Sequence, residues 1–131
     1  MGTPGAKRGD RIIATDTHIL LVPAPPGPPV PTPTPLPFSG VIDGALSEST
    51  FIDDMNAATV DSQASNTPAH VPTVGPFQTP PSDRGTIIAG SSTVFIDEKA
   101  AARAGDTAET CNDPSDLPVG VGEASGSVIA G

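Results

Sequence analysis

The sequence predicts an all-β fold of short strands arranged in three pseudo-equivalent units, and three observations carry that prediction. Proline and glycine, 17 and 14 of 131 residues, make up almost a quarter of the chain, and both cost the most in a helix interior, which excludes long helices. A stretch of about 22 residues occurs twice, with fragments of further copies at the two ends. The two histidines and the single cysteine fall at related points of that repeat. Leu, Ile, Val and Phe together make about a fifth of the chain, the lower edge of what a packed core needs. With no Trp, no Tyr and four Phe, burial alone is too little, and the remaining stability has to come from a metal, a partner or a repeat lattice.

Charge excludes several functions. Fifteen acidic residues against 6 basic ones give a net charge of −9, a sign that repels nucleic-acid phosphates and anionic lipid. The basic cluster Lys7, Arg8 and Arg11 is too short for a polybasic anchor. Cys111 has no partner for an internal disulfide. The N-terminal residues MGTPGAKRGD contain no apolar h-region, so the sequence predicts synthesis in the cytoplasm without a signal peptide. Export, if any, would be by a route that reads none. The length fits one domain spanning 1–131.

Taken in order, residues 1–10 end in AKRGD, the closing piece of a unit whose opening is missing. Residues 22–38 form a Pro-rich loop in which nine of the fifteen residues from Pro23 to Pro37 are proline, expected to be extended polyproline II lying as a rigid, ordered loop on the body. Gly40 to Ser62 (GVIDGALSESTFIDDMNAATVDS) aligns with Gly85 to Asp106 (GTIIAGSSTVFIDEKAAARAGD) through G-x-I-x-G, then FID, then a small-residue Ala-Ala pair. In this alignment Ile42 is matched with Ile88 and Phe51 with Phe95. Residues 126–131, GSVIAG, read as the opening of a third, truncated unit. Each unit predicts two strands of about four to six residues with tight Gly-Asp turns. Three such units imply pseudo-threefold packing, each covering its neighbour's apolar face.

His18 lies eight residues after Asp10, His70 eight after Ser62, and Cys111 five after Asp106. Each unit thus places one borderline or soft donor shortly after its turn, and threefold packing would bring the three to a common axis. Imidazole with thiolate is the donor set of zinc, and iron accepts it too. A fourth ligand is left open among water, Asp16 and Asp113.

Ala-Ala-Arg-Ala-Gly-Asp at 101–106, its diverged partners AKRGD and NAATVDS, and the flanking GTIIAGSSTVFID resemble the proline-alanine-alanine-arginine (PAAR) repeat proteins, with Ala100 in place of the signature proline. The resemblance implies a small cone of β-strands whose base sits on a trimeric spike protein, one cap per trimer, and whose apex is held by one structural zinc or iron ion. It implies a structural, non-enzymatic role at the tip of a contractile injection system, in transient contact with a target membrane, with effector cargo as a further candidate partner. The assembled particle would be extracellular or delivered through a secretion machine. The T-D-T-H and N-T-P-A-H strings and the long Pro-rich loop look more like tips of phage-tail-like particles than like type VI secretion members. Such proteins use three His and one Cys; His18, His70 and Cys111 match, and the third His has no counterpart, its slot being expected near Leu36 to Phe38. The base is expected to be built around Val41, Ile42, Ile87, Ile88, Val128 and Ile129, which carry a similar small apolar pattern in each unit.

Two other classes remain open on sequence alone. A Pro-rich adaptor would dock residues 23–37 in a proline-recognising groove. A small metallohydrolase would use an open coordination position, although no HExxH or nucleophile motif is present.

Overall fold

A computed structural model describes residues 2–131. The described residues form twelve strands and no helix: β1 (Thr3–Pro4), β2 (Arg11–Val22), β3 (Val30–Gly44), β4 (Phe51–Ile52), β5 (Met55–Asn56), β6 (Gln63–Asn66), β7 (Arg84–Ile87), β8 (Phe95–Ile96), β9 (Lys99–Ala100), β10 (Thr107–Thr110), β11 (Leu117–Glu123) and β12 (Ile129–Ala130). Six strands close a barrel in the order β10-β11-β2-β3-β6-β7. The other six make three two-stranded sheets: the hairpins β4/β5 and β8/β9, and the equivalent pair β1/β12, whose strands lie far apart in sequence.

The hairpins are related by a pseudo-threefold axis that can be read from the hydrogen bonds. Ala6 N–H donates to the Ala102 carbonyl, Ala102 N–H to Ala58, and Ala58 N–H back to Ala6, closing a ring of three bonds at 2.9 to 3.1 Å. All three alanines are buried, because a larger side chain would push the three strands apart at the axis. Two residues on, Arg8, Val60 and Ala104 donate to Asn56, Ala100 and Pro4. The turn that follows is likewise repeated: the Lys7, Thr59 and Arg103 amides donate to the side chains of Asp10, Ser62 and Asp106. Its third residue is left-handed in each unit, Gly9 (φ 93), Asp61 (φ 80) and Gly105 (φ 89). This tight turn explains the Gly-Asp signature.

After the turn each unit exchanges two backbone bonds with a barrel strand, Gly9 and Asp10 with Ile42, Asp61 and Ser62 with Ile87, and Gly105 and Asp106 with Gly122. Ile42 is therefore the counterpart of Ile87, one residue away from the Ile88 match read from the sequence, and Gly120 to Gly122 supply the third opening. Ile129 pairs with Pro4 as Phe51 pairs with Asn56 and Phe95 with Ala100. Residues 126–131 hence correspond to the FID strand and not to the G-x-I opening. Two hairpins turn through pairs of positive-φ residues, Asp53-Asp54 and Asp97-Glu98, the requirement of a two-residue type I′ loop.

Strand lengths run from two to fifteen residues, a wider range than four to six, because β2 and β3 pair in continuous register from Arg11↔Val41 to Val22↔Val30. The Pro-rich segment is thus mostly strand; only residues 23–29 connect β2 to β3. Prolines 31, 33, 35 and 37 stand opposite Leu21, Ile19, Thr17 and Thr15. Those β2 residues aim their backbone groups away from β3: Leu21 N–H goes to Pro76, Ile19 accepts from Gln78, and Thr17 accepts from Asp113. The prolines therefore occupy the non-bonded positions of the ladder, where a missing N–H costs nothing. Alternation with Thr32, Thr34, Leu36 and Phe38 lets a polyproline-like composition form a sheet.

The core is a small cluster along the axis, Ala6, Ile12, Phe38, Ile42, Ala58, Ala64, Ile87, Ala102, Ala108 and Cys111. Ile42 and Ile87, expected at a docking base, are 0% and 3% exposed and lie in the same core cluster; their third counterpart, Gly122, has no side chain to pack. Both isoleucines are core residues.

Candidate metal centre

The even-numbered residues of β2 point inward, so Asp16, His18 and Leu20 line one face and are all buried. Beyond the barrel this face is roofed by the segment between β6 and β7, which carries His70, and by the loop after β10, which begins with Cys111. The first segment is fastened at its ends. Asn66 N–H donates to the Asp83 carbonyl, its side chain bonds Asp83 Oδ1 and accepts from Ser39 N–H, and His70 N–H donates to Asp83 Oδ1 at 2.9 Å. The second is fastened by Asn112, whose Oδ1 accepts Thr17 N–H at 2.7 Å.

These anchors bring one ligand atom each from Asp16, His18, His70 and Cys111 to within 4.8 Å of one another. His70 Nε2 is 2.9 Å from Asp16 Oδ2, Cys111 Sγ is 3.4 Å from the same oxygen and 3.7 Å from His18 Nε2. A tetrahedral zinc ion, with bonds of about 2.0–2.3 Å, would hold its donors roughly 3.3–3.8 Å apart. The cluster therefore closes on one ion with small side-chain adjustments. Four buried donors are positioned to bind a single metal ion.

The chemistry of the set asks for a cation. Burial, and then the neighbouring Asp16 carboxylate, push the Cys111 thiol up to about 12, so without a positive charge the sulfur keeps its proton and donates it to Asp16. Burial and His70 lower the pKa of His18, leaving the neutral imidazole that a metal needs. His18 Nδ1 and Asp113 Oδ2 are buried without a hydrogen-bond partner. His18 packs against His70 with ring centroids 4.8 Å apart and against Phe77 at 5.8 Å, which shields the centre from water.

His18, His70 and Cys111 thus come together, with His18 on a long strand and not in a loop. Asp16 takes the fourth place; Asp113 does not join the cluster. Leu36 and Phe38, near the expected slot of a third histidine, are buried apolar residues. Asp16 was legible in principle, because D-x-H in an alternating strand puts both side chains on one face. Thr110, whose hydroxyl donates to Asp16 Oδ1, left no signal in the sequence. Its bond occupies one carboxylate oxygen and turns Oδ2 toward His70 and Cys111.

A β cage of three repeated units closed over a His/Cys/Asp cluster defines a class of small all-β proteins with a candidate metal centre. The family model described as PAAR motif matches residues 37–109 and again 77–131, and the chain belongs to the PAAR-motif family. This is a structural family found at the tip of trimeric spikes in contractile injection and type VI secretion machinery. No curated protein sequence matches the chain.

Proposed function

We propose that the chain caps a trimeric spike with one copy per trimer and sharpens it for passage through a target membrane, its apex held by one structural zinc or iron ion on Asp16, His18, His70 and Cys111. The observation that carries the capping is the pseudo-threefold end of the molecule. Phe51, Phe95 and Ile129 occupy equivalent positions in the three hairpins and are 54%, 61% and 58% exposed. Three large apolar side chains at equivalent sites match a partner that repeats its own surface three times. Ile88 and Val128 are exposed and Val41 is half-buried, and we assign them to the same docking face.

With Asp16 as fourth donor, a tetrahedral ion has no open position for a reacting water, which favours a clamp over a hydrolase. A strand paired residue for residue with β2 is not the free polyproline II helix that proline-recognising grooves read, which disfavours the adaptor. Native mass spectrometry of the chain with its spike protein should give one copy per trimer; three copies per trimer would sink the cap. Elemental analysis should give about one zinc or iron per chain, and a native protein without metal would refute the clamp. Phe95→Asp should abolish capping while leaving the metal content unchanged.

A further inference from the structure

The long hairpin β2–β3 has two outer edges, and the chain treats them differently. In an antiparallel ladder, residues opposite one another either both turn their backbone groups into the pair or both turn them away. Thr15, Thr17, Ile19 and Leu21 turn theirs away from β3, so Pro37, Pro35, Pro33 and Pro31 opposite them turn theirs away from β2. The β2 edge is covered: Thr17 N–H donates to Asn112 Oδ1, Leu21 N–H donates to the Pro76 carbonyl, and the Thr17 and Ile19 carbonyls accept from Asp113 and Gln78. The β3 edge is open. Strand β6 pairs with it only from Gly40 to Gly44, Asn66 and Thr67 take up Ser39, and among the described residues no strand pairs with its outer side from Val30 to Pro37.

Every outward position of the open edge is proline, and all four prolines are exposed. None of the residues that bond to β2, Thr32, Thr34, Leu36 and Phe38, is proline, and neither is any outward residue of the covered edge. The need to keep ladder bonds explains why proline avoids the inward positions. It does not explain why proline fills every outward one. The edge is otherwise of the kind that attracts another strand: its pairing with β2 runs without a bulge from Arg11↔Val41 to Val22↔Val30, and residues 17–42 contain no Asp, Glu, Lys or Arg. The bulges and charged side chains that commonly protect a strand edge are therefore missing, and proline is the remaining device.

We infer that Pro31, Pro33, Pro35 and Pro37 close this edge to a second copy of the chain. In a copy-to-copy pair of β3 edges, each outward residue would exchange two hydrogen bonds with its opposite. With proline on both sides there is no N–H to donate, and carbonyls lose water without gaining a partner. The longest strand of the molecule thus ends in solvent while the chain stays single. The inference is independent of the capping and of the metal.

The double variant Pro33→Thr/Pro35→Thr restores two outward donors and keeps the β-branched character of the strand. Sedimentation equilibrium should show a reversible dimer, with self-association at least about tenfold tighter than in the unchanged chain, and the amides introduced at positions 33 and 35 should be protected from hydrogen exchange in the dimer. Pro28→Thr/Pro29→Thr adds the same two amides in the connection 23–29, outside the ladder, and should leave the chain monomeric. Pro33→Ala, with one new donor, should self-associate more weakly than the double variant, and it carries the test if the double variant does not fold. A folded edge variant that stays monomeric, a dimer in which the new amides exchange freely, equal dimerisation of Pro28→Thr/Pro29→Thr, or edge-paired dimers of the unchanged chain would each overturn the inference.

Discussion

The two ends of the chain are stabilised in opposite ways. At the base, three short hairpins meet through backbone hydrogen bonds between alanines, and each side chain is small because the axis leaves no room. At the apex, the connections β2–β3, β6–β7 and β10–β11 occupy equivalent places in the barrel but differ in length, and they bring together four donors of three kinds. The base is symmetric because the same interaction is repeated three times; the apex is asymmetric in chemistry because its three connections differ in length and bring two histidines, a cysteine and an aspartate. A chain with few large apolar residues thus closes one end with a ring of backbone bonds and gathers at the other four buried donors positioned for one cation.

The largest effect should come from the apex. Removing the metal with a chelator, or replacing Cys111 or His70 with Ala, should lower stability by several kcal/mol, since structural zinc contributes on the order of 10 kcal/mol in the smallest zinc-dependent domains. Calorimetry would read the loss, and hydrogen exchange should show the Ala6, Ala58 and Ala102 amides still protected. If those amides open together with the apex, the ends are one cooperative unit and the contrast fails. Ala58→Leu attacks the base: overpacking at the axis should cost about 1–3 kcal/mol in urea denaturation with metal content intact. Thr110→Val leaves a buried Asp16 oxygen without its donor, at a cost of about 1–3 kcal/mol in the metal-free chain; it should weaken metal binding some 10- to 100-fold in a competition titration. The smallest change is Asp61→Gly. At φ 80 the aspartate holds a conformation that its counterparts Gly9 and Gly105 adopt freely, so the variant should gain up to about 1 kcal/mol in the same denaturation assay.

The base was largely legible in the sequence because its rules are local. Phe-Ile followed by Asp-Asp or Asp-Glu marks a hairpin, and Gly-Asp marks the left-handed turn that follows the alanines. The exact phase was not legible: GTIIAG offers two isoleucines, and only the bond from Asp61 to Ile87 decides between them. GSVIAG looks like an opening by residue type, yet it pairs as a closing strand. At the apex, composition misled. Nine prolines in fifteen residues suggest polyproline II, but their spacing of two from Pro31 onward is that of a strand, with each ring on the side that needs no donor. The ligand trio was visible as chemistry, whereas the fourth donor depended on which face of β2 turns inward.

The hairpin tips have one further connection. The Asp97 carboxylate accepts the hydroxyls of Ser47 and Ser49 at 2.6 and 2.7 Å, Asp53 accepts the amide and hydroxyl of Ser127, and the Gly131 carbonyl accepts the Ser91 hydroxyl. Every tip is thus held by a neighbouring unit, and the three contacts run once around the axis. Such a circuit behaves as a hoop around a cask. A push along the axis, which would splay three separate hairpins, is converted into tension around the circumference and shared among all three seams.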